Sequence, residues 1–485
     1  MNTLQRLLSN TALAFAANVV VKASTSILFI LIGRQLGPTD SGVFSLGTTY
    51  FTIVFGLSAL GLHELLVREV APRRQESTHY LANYLALRLV SSLLVYLLLI
   101  VALRFLLPYN AETEQVILIL SLAAIPEAVF SICAALFEAH ERLAVPTLGA
   151  IVNSAIKIIG GFWLLRSGAG VVEIAWLMVI ASLASLFVFP PAIVALLRGQ
   201  ARTARRSLDV RFGLAQLRQT PGFFAIHLFS LLDYQTDAFL ISIFLTETDL
   251  GYYSAALTIT LAISLMSFAV RAAIYPVMAR YARTDPDKLA LLYEKANQYL
   301  IALSLPIAAA VCLLSGPIIT LIFGEDFTPA VPALQVSVWA AVFLLVNVPS
   351  ARLLLIDNRQ QAAAGLTGVS MTTNIIANLI LIPTLGIVGA ALARVLASAV
   401  FFLSIHLYVQ ANILRSRFLP LLPRPILATA LMVAAMWPAR AMPLPVPVVI
   451  GAAVYALAAY LLRIVPPGDL VYWQQVIRPR SQTNP

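Results

Sequence analysis

Nine ionisable residues of this 485-residue chain fall inside long apolar runs: Lys22, Arg88, Lys157, Arg271, Arg352, Arg394, Glu127, Asp233 and Asp237. A charge at the centre of a lone membrane helix costs about 2.5–3.5 kcal/mol on insertion scales. Such groups therefore face a cavity or a partner and are functional candidates by default. Asp233 and Asp237 are four residues apart and share one helix face. Two close carboxylates in a low dielectric do not easily both stay ionised, so the pair can take up a proton or a sodium ion, or pair with a cation such as Arg271. Glu127 follows Pro126, whose ring breaks the helical hydrogen-bond ladder; it reads as a counter-ion or a coupling site. Lys22 lies near the middle of its run, about 16 Å from either end at the helical rise. A lysine reaches only about 6 Å, so it cannot snorkel out. Asn18 lies one turn before Lys22, Asn153 one turn before Lys157, and Asn374 one turn before Asn378. Each lysine reads as a cavity cation or a structural ion-pair partner. Arg352 is close enough to a span end to snorkel, whereas Arg88, Arg271 and Arg394 stay open between the two readings. Six intramembrane cations against three carboxylates suit an anionic cargo.

The elements that must carry these residues follow from composition. The chain is 60% hydrophobic, 11% charged, and has a mean hydropathy of +0.89. A soluble chain of this length cannot hide so much apolar surface, so lipid is the solvent for most of it. The runs are continuous rather than alternating, which predicts helices and not a barrel. We expect about fourteen spans: 11–33, 43–63, 80–107, 115–137, 144–166, 172–197, 222–245, 252–279, 297–322, 331–355, 361–382, 386–410, 425–439 and 446–463. The thirteenth is short and bounded by prolines, as a re-entrant or tilted segment would be. The first run, Thr11 to Ile32, is too long for a cleavable signal and holds Lys22 at its centre.

With the N-terminus in the cytoplasm, 22 Lys and Arg lie at cytoplasmic ends. Only Arg34, Arg104, Arg166 and Arg440 lie at outer ends, a bias that sets the orientation and accounts for the net charge of +10. The expected location is the cell membrane, multi-pass, with both termini cytoplasmic. The longest connection, 198–221, carries Arg198, Arg202, Arg205 and Arg206 on one helical face, which suits anionic headgroups.

This connector separates two halves of six spans each. Leu36, Thr39, Asp40, Gly42 and Ser45 recur as Leu245, Thr248, Asp249, Gly251 and Ser254 at a constant offset of 209, with Phe44 answered by Tyr253. A second echo links Val171, Val172, Ala175, Ala181 and Ser182 to Ile387, Val388, Ala391, Ala397 and Ser398. An even number of spans per half makes the repeat parallel. The expected domains are 1–197, a basic connector 198–221, 222–410, and an appended pair of spans with a tail, 411–485. We place the echoed segments at outer turns, shaping hinges rather than touching cargo.

Other chemistries are weakly represented. The five histidines show no metal-ligand spacing, and Cys133 and Cys312 lie in apolar runs with no disulfide framework. No Walker A, Rossmann or nucleophile-elbow motif occurs. The expectation is therefore a non-enzyme without metal or cofactor. The basic balance is absorbed by topology, so nucleic acid is not an expected partner.

Several motifs resemble one family. Gly33 to Pro38, Gly42, Gly61-Leu62 and Arg68-Glu69 resemble the first two helices of Wzx-like polysaccharide/oligosaccharide flippases, in the polysaccharide transport branch of the multidrug/oligosaccharidyl-lipid/polysaccharide exporter superfamily. Asp237 with Gly251 to Ala256 and Pro276 is similar to their seventh and eighth helices, and Phe323 to Phe327 to the segment after the ninth. Asn374, Asn378, Pro383, Gly386, Gly389 and Ala390 resemble helices eleven and twelve. The resemblance covers most of 5–410. It implies an all-α polytopic fold with two pseudo-symmetric six-helix lobes around a central cavity. It also implies movement of a polyprenyl-diphosphate-linked glycan across the membrane by alternating access, coupled to H+ or Na+. Lys22, Asn18, Arg88, Lys157, Asn153 and Arg271 are the expected cargo-binding residues, and Asp233, Asp237 and Glu127 the ion-coupling ones. The expected partners are the lipid-linked glycan, membrane lipid and other glycan assembly proteins, with the chain itself a monomer. The rivals are a drug/cation antiporter of the same superfamily, which favours an acidic cavity, and a membrane glycan polymerase or ligase, which needs a larger external loop. A non-transporting scaffold is the third.

Overall fold

Gly37 and Gly386 set the largest departures from straight helix. A 57-residue helix is about 86 Å long, against a hydrocarbon core of about 30 Å. The longest helix, α1 (Thr3–Ala59), therefore cannot cross only once, and it bends at Gly37, whose φ of 86° is open to glycine and strained for other residues. Pro38 then starts the second arm with its φ already helical. The 53-residue α16 (Gln360–Asn412) bends the same way at Gly386, φ 61°. Two pairs of expected spans are thus single bent helices, with no loop between their members.

The computed structural model describes residues 3–107, 109–198, 208–264, 266–416 and 418–464. Between the bent helices run α2 (Leu62–Val70), α3 (Ser77–Phe105), α4 (Ala111–Leu122), α5 (Ala124–Ala139), α6 (Ala144–Arg166), α7 (Val171–Leu186), α8 (Phe189–Leu196), α9 (Val210–Leu217), α10 (Pro221–Phe244), α11 (Glu247–Ser264), α12 (Met266–Thr284), α13 (Pro286–Leu313), α14 (Ser315–Ile322) and α15 (Val331–Ile356). After α16 come α17 (Pro423–Met436) and α18 (Pro445–Leu461). No strand occurs among the described residues. Among the described residues, eight helical stretches are long and apolar enough to cross a membrane. α17 has 14 residues and a length of about 21 Å, too short for an untilted crossing.

The chain divides into two compact units, one of 1–254 with 378–387 and one of 255–377 with 388–485. In the first, α1 is the central element and packs on α6, α4, α10 and α3. Leu62, Leu65, Leu66, Tyr84, Ile132 and Leu136 form one fully covered core where α2, α3 and α5 meet. In the second, α13 lies along α15, and Tyr293, Leu292, Met278 and Leu353 form its core. The outward face of α3 bares Val90, Leu93, Leu94, Leu97, Leu98, Val101 and Phe105. Such a belt aggregates in water and is at home in hydrocarbon.

Candidate transport site

The first unit holds two intramembrane lysines, Lys22 and Lys157, on neighbouring helices. Ser24 on α1 hydrogen-bonds Ser154 on α6 at 3.2 Å, and further along both helices Leu28 covers Gly161 so closely that a Cβ there would lie 2.4 Å from Leu28 Cδ1. Both contacts advance in the same direction, so α1 and α6 run parallel. This register sets Lys22 at the level of Asn153, with Lys157 about one turn further on. Lys22 is exposed, while Lys157 and Asn153 are 8% and 7% exposed. Glu127, from α5, lies within electrostatic reach of Lys157 and beside the Ser182 hydroxyl of α7. Glu127 and Lys157 stop short of a contact ion pair, which leaves the lysine's donors unconsumed by the carboxylate. The helix interruption at Ala123, between α4 and α5, sets Glu127 and Pro126 in the first turn of α5.

The second acidic position is buried more deeply. Asp237, 1% exposed on α10, accepts hydrogen bonds from the Tyr253 hydroxyl and from Asn378 Nδ2, the latter at 2.9 Å. These two donors are neutral, so they can serve the carboxylate whether it carries a proton, a cation or neither. Asn374 is fully buried one turn before Asn378. Asp233 is half-buried, one turn before Asp237.

The echoed segments meet each other. Thr39 Oγ1 lies 2.8 Å from Thr248 Oγ1, and Ser45 Oγ lies 2.6 Å from Ser254 Oγ. Each residue touches its own counterpart in the repeat, as a local two-fold axis requires. Between the two pairs the backbones cross at glycines. A Cβ on Gly42 would lie 1.7 Å from the Glu247 carbonyl oxygen, and one on Gly251 would lie 1.9 Å from that of Pro38. Glu247 accepts from Asn110 and Thr113 at the start of α4. Tyr109 bridges Ser242 of α10 and Tyr50 of α1 at 2.8 and 3.1 Å. Below this seam Tyr50, Leu57, Leu98, Leu106, Leu231 and Phe239 line part of an apolar cavity of about 510 Å³. The constant spacing of the echo was the signal for this contact. We expected turns there, and the structure instead gives a helix-on-helix crossing.

The remaining expected residues are dispersed. Arg88 is 1% exposed and donates to Ser58 Oγ at 3.2 Å and the Phe55 carbonyl at 3.0 Å, with its guanidinium over the Phe55 ring. It fastens α3 to the second arm of α1. Arg352 lies 5.9 Å from the centroid of the Tyr275 ring, and Arg394 is 9% exposed. The side chains of Asn18 and Arg271 lie outside the described residues, as do Arg202, Arg205 and Arg206. Sequence reasoning missed two pairs at one end of the first unit: His227 Nε2 with Glu64 Oε1 at 2.9 Å, and His63 Nε2 with Glu138 Oε2 at 3.1 Å. Histidines and glutamates far apart in sequence carry no local sign of pairing. No cluster of three metal-ligating side chains occurs among the described residues.

The described residues define a polytopic helical membrane protein. The sequence profile of the family described as "Polysaccharide biosynthesis protein" matches residues 3–332, and this chain belongs to that family. A relative in Haloferax volcanii, the "probable low-salt glycan biosynthesis flippase Agl15", is 25% identical over 387 residues, covering 80% of each chain. Among solved structures, the lipid II flippase MurJ in an inward closed conformation aligns with a TM-score of 0.73, at 15% identity, over 96% of this chain and all of that one. An inward-facing multidrug resistance MATE transporter of the MOP superfamily aligns at 0.60 and 14% identity, over 81% of this chain and 95% of its own. The two-lobe fold of that superfamily is shared.

Proposed function

We propose that this chain is a flippase for a polyprenyl-diphosphate-linked oligosaccharide or polysaccharide unit in the cell membrane. The observation that carries the reading is the packing of α1, which bears Lys22, along α6, which bears Asn153 and Lys157; we read the three residues as one cationic band. A diphosphate entering the membrane loses its hydration, and ammonium groups already held at that depth offset the loss through charge-assisted hydrogen bonds. Glu127 keeps the band tolerable when no cargo is present. The apolar cavity beside α3 suits a lipid tail, and the glycan travels with the diphosphate through polar space. Asp237, with Asp233 nearby, serves as the ion-coupling position, and Arg88 holds α3 to α1 instead of touching cargo. The seam of the echoed segments is the part that parts and re-forms during alternating access. The glycan biosynthesis name of the Haloferax relative and membership of the polysaccharide family support this reading over a drug antiporter.

The test is flipping of a fluorescent polyprenyl-diphosphate sugar in proteoliposomes. Lys157→Ala and Lys22→Ala should each cut the initial rate by about tenfold or more, roughly the loss of one charge-assisted hydrogen bond of 1.5–3 kcal/mol. Full rates in both variants, at equal insertion, exclude the cationic band as the cargo site. Transport of a lipophilic cation in place of the sugar lipid would favour the drug antiporter.

A further inference from the structure

The short helix α9 has two unlike faces. Phe212, Gly213, Gln216 and Leu217 turn inward. Phe212 packs on the His79 ring at 4.5 Å and Tyr80 at 5.1 Å, Gln216 accepts from the Tyr84 hydroxyl at 3.0 Å, and the Asp209 backbone N–H donates to Asn83 at 2.8 Å. These contacts fix α9 rigidly across the first turns of α3. The outward face then bares Val210 and Leu214, 77% and 56% exposed, with Leu208 beside them at 66%. At 100° per residue, Arg218 and Arg211 follow Leu214 around the same helix, so an apolar stripe borders a basic one. Neither guanidinium has an ion-pair partner among the described residues. Arg68 joins the patch through its 2.8 Å hydrogen bond to Gln219.

The position of α9 along α3 gives its depth. α3 has 29 residues and a length of about 43 Å, which exceeds the hydrocarbon core by about 13 Å. Its lipid-facing belt runs from Leu89 to Leu106, while α9 crosses it at residues 79–84. The helix thus sits just beyond the end of the belt, at the level of the headgroups.

We propose that α9 is an anionic-lipid binding surface: Val210 and Leu214 enter the acyl boundary, and Arg211 and Arg218 bind headgroup phosphates. The occupant is a bilayer surface rich in phosphatidylglycerol or a similar anionic phospholipid. Exposed apolar side chains bordered by unpaired arginines at headgroup depth match that surface in both polarity and charge. This assignment does not depend on the cargo: a chain that moves no glycan would still carry it.

The experiment uses the full-length protein in nanodiscs of neutral phosphatidylcholine with increasing phosphatidylglycerol. Bound phosphatidylglycerol is counted by native mass spectrometry after mild detergent exchange. The paired substitution Arg211→Gln with Arg218→Gln should weaken the tightest phosphatidylglycerol binding by about thirtyfold, the product of two surface arginines, with thermal stability in neutral lipid unchanged. A bimane label on Val210→Cys should be quenched by brominated lipid and shielded from aqueous iodide. An unchanged phosphatidylglycerol count in the arginine variant, or a label open to iodide and untouched by brominated lipid, overturns the proposal. The second outcome would leave the face free for a soluble protein partner. Inorganic pyrophosphate added to the discs separates sources: if it displaces the bound lipid at micromolar concentration, the patch reads diphosphates and the bilayer assignment fails.

Discussion

Asp237 is a carboxylate that the fold has taken out of solvent and given two neutral hydrogen-bond donors, Tyr253 and Asn378. Asp237→Asn keeps size and one acceptor, so the fold should persist, with a loss of about 1–3 kcal/mol where the new amide N–H₂ confronts that of Asn378. If Asp237 couples transport to an ion, the variant should flip sugar lipid down its own gradient at near-normal rates and no longer respond to an imposed proton or sodium gradient. A wild-type gradient response in the variant would remove Asp237 from coupling. His140 makes a separate prediction outside the membrane. Burial, with Arg74 and Arg142 nearby, holds its imidazole below the ordinary value of 6.5. The unfolded chain therefore binds the proton more readily, and stability rises with pH across the interval between the two values. The contribution is complete above about pH 6.5 and is lost as pH falls through the lower folded value. His140→Gln should flatten part of the fall in thermal midpoint between pH 7 and 5. If both proteins show the same slope, His140 does not titrate in this way.

Helices could be read from the sequence; their partners less so. Long apolar runs gave the all-helical membrane fold, because lipid forces every backbone group to be satisfied within its own segment. The helices that carry Lys22 and Lys157 were legible for the same reason. What a run does not encode is which face of it meets which neighbour. Arg88 therefore stayed open until Ser58 and Phe55 were seen to hold it, and the His227–Glu64 pair left no local mark. The echo was visible as a repeat, yet only the structure shows that the two copies cross each other. That crossing predicts its own chemistry. Gly42→Ala drives a methyl into the Glu247 carbonyl and Gly251→Ala into that of Pro38, so each should force α1 and α11 apart. Backbone atoms yield little, and a stability loss of several kcal/mol, or a displaced seam, is expected. Ser45→Cys with Ser254→Cys, whose hydroxyls lie 2.6 Å apart, should oxidise to a disulfide. If the seam must part during each cycle, oxidation should stop flipping and reduction should restore it. Full activity in the oxidised protein would make the seam a static joint.

For the molecule as a whole, function depends on which way the chain crosses the membrane. The fold is indifferent to this: the same helices inverted would bury the same surfaces. The sign comes from 22 basic residues assigned to one set of ends against Arg34, Arg104, Arg166 and Arg440 at the other. Basic residues are retained on the cytoplasmic side during insertion, and this bias is the ground for the proposed orientation. In the proposed orientation Ser167 and Ala441 face outward and Glu76 and Thr284 face the cytoplasm; all four are exposed. Single cysteines at these positions report the orientation, since Cys133 is 4% exposed and both native cysteines lie within apolar helices. In intact cells an impermeant maleimide should label Ser167→Cys and Ala441→Cys and spare Glu76→Cys and Thr284→Cys until the membrane is opened. Reversed labelling would turn the molecule over. The seam of Thr39, Ser45, Thr248 and Ser254 would then guard the cytoplasmic side, and α9 would rest on the outer leaflet. A mixed pattern, with Ser167 outside and Ala441 inside, would instead remove one crossing from the appended pair of spans, and α17, only 14 residues long, is the helix that would fail to span.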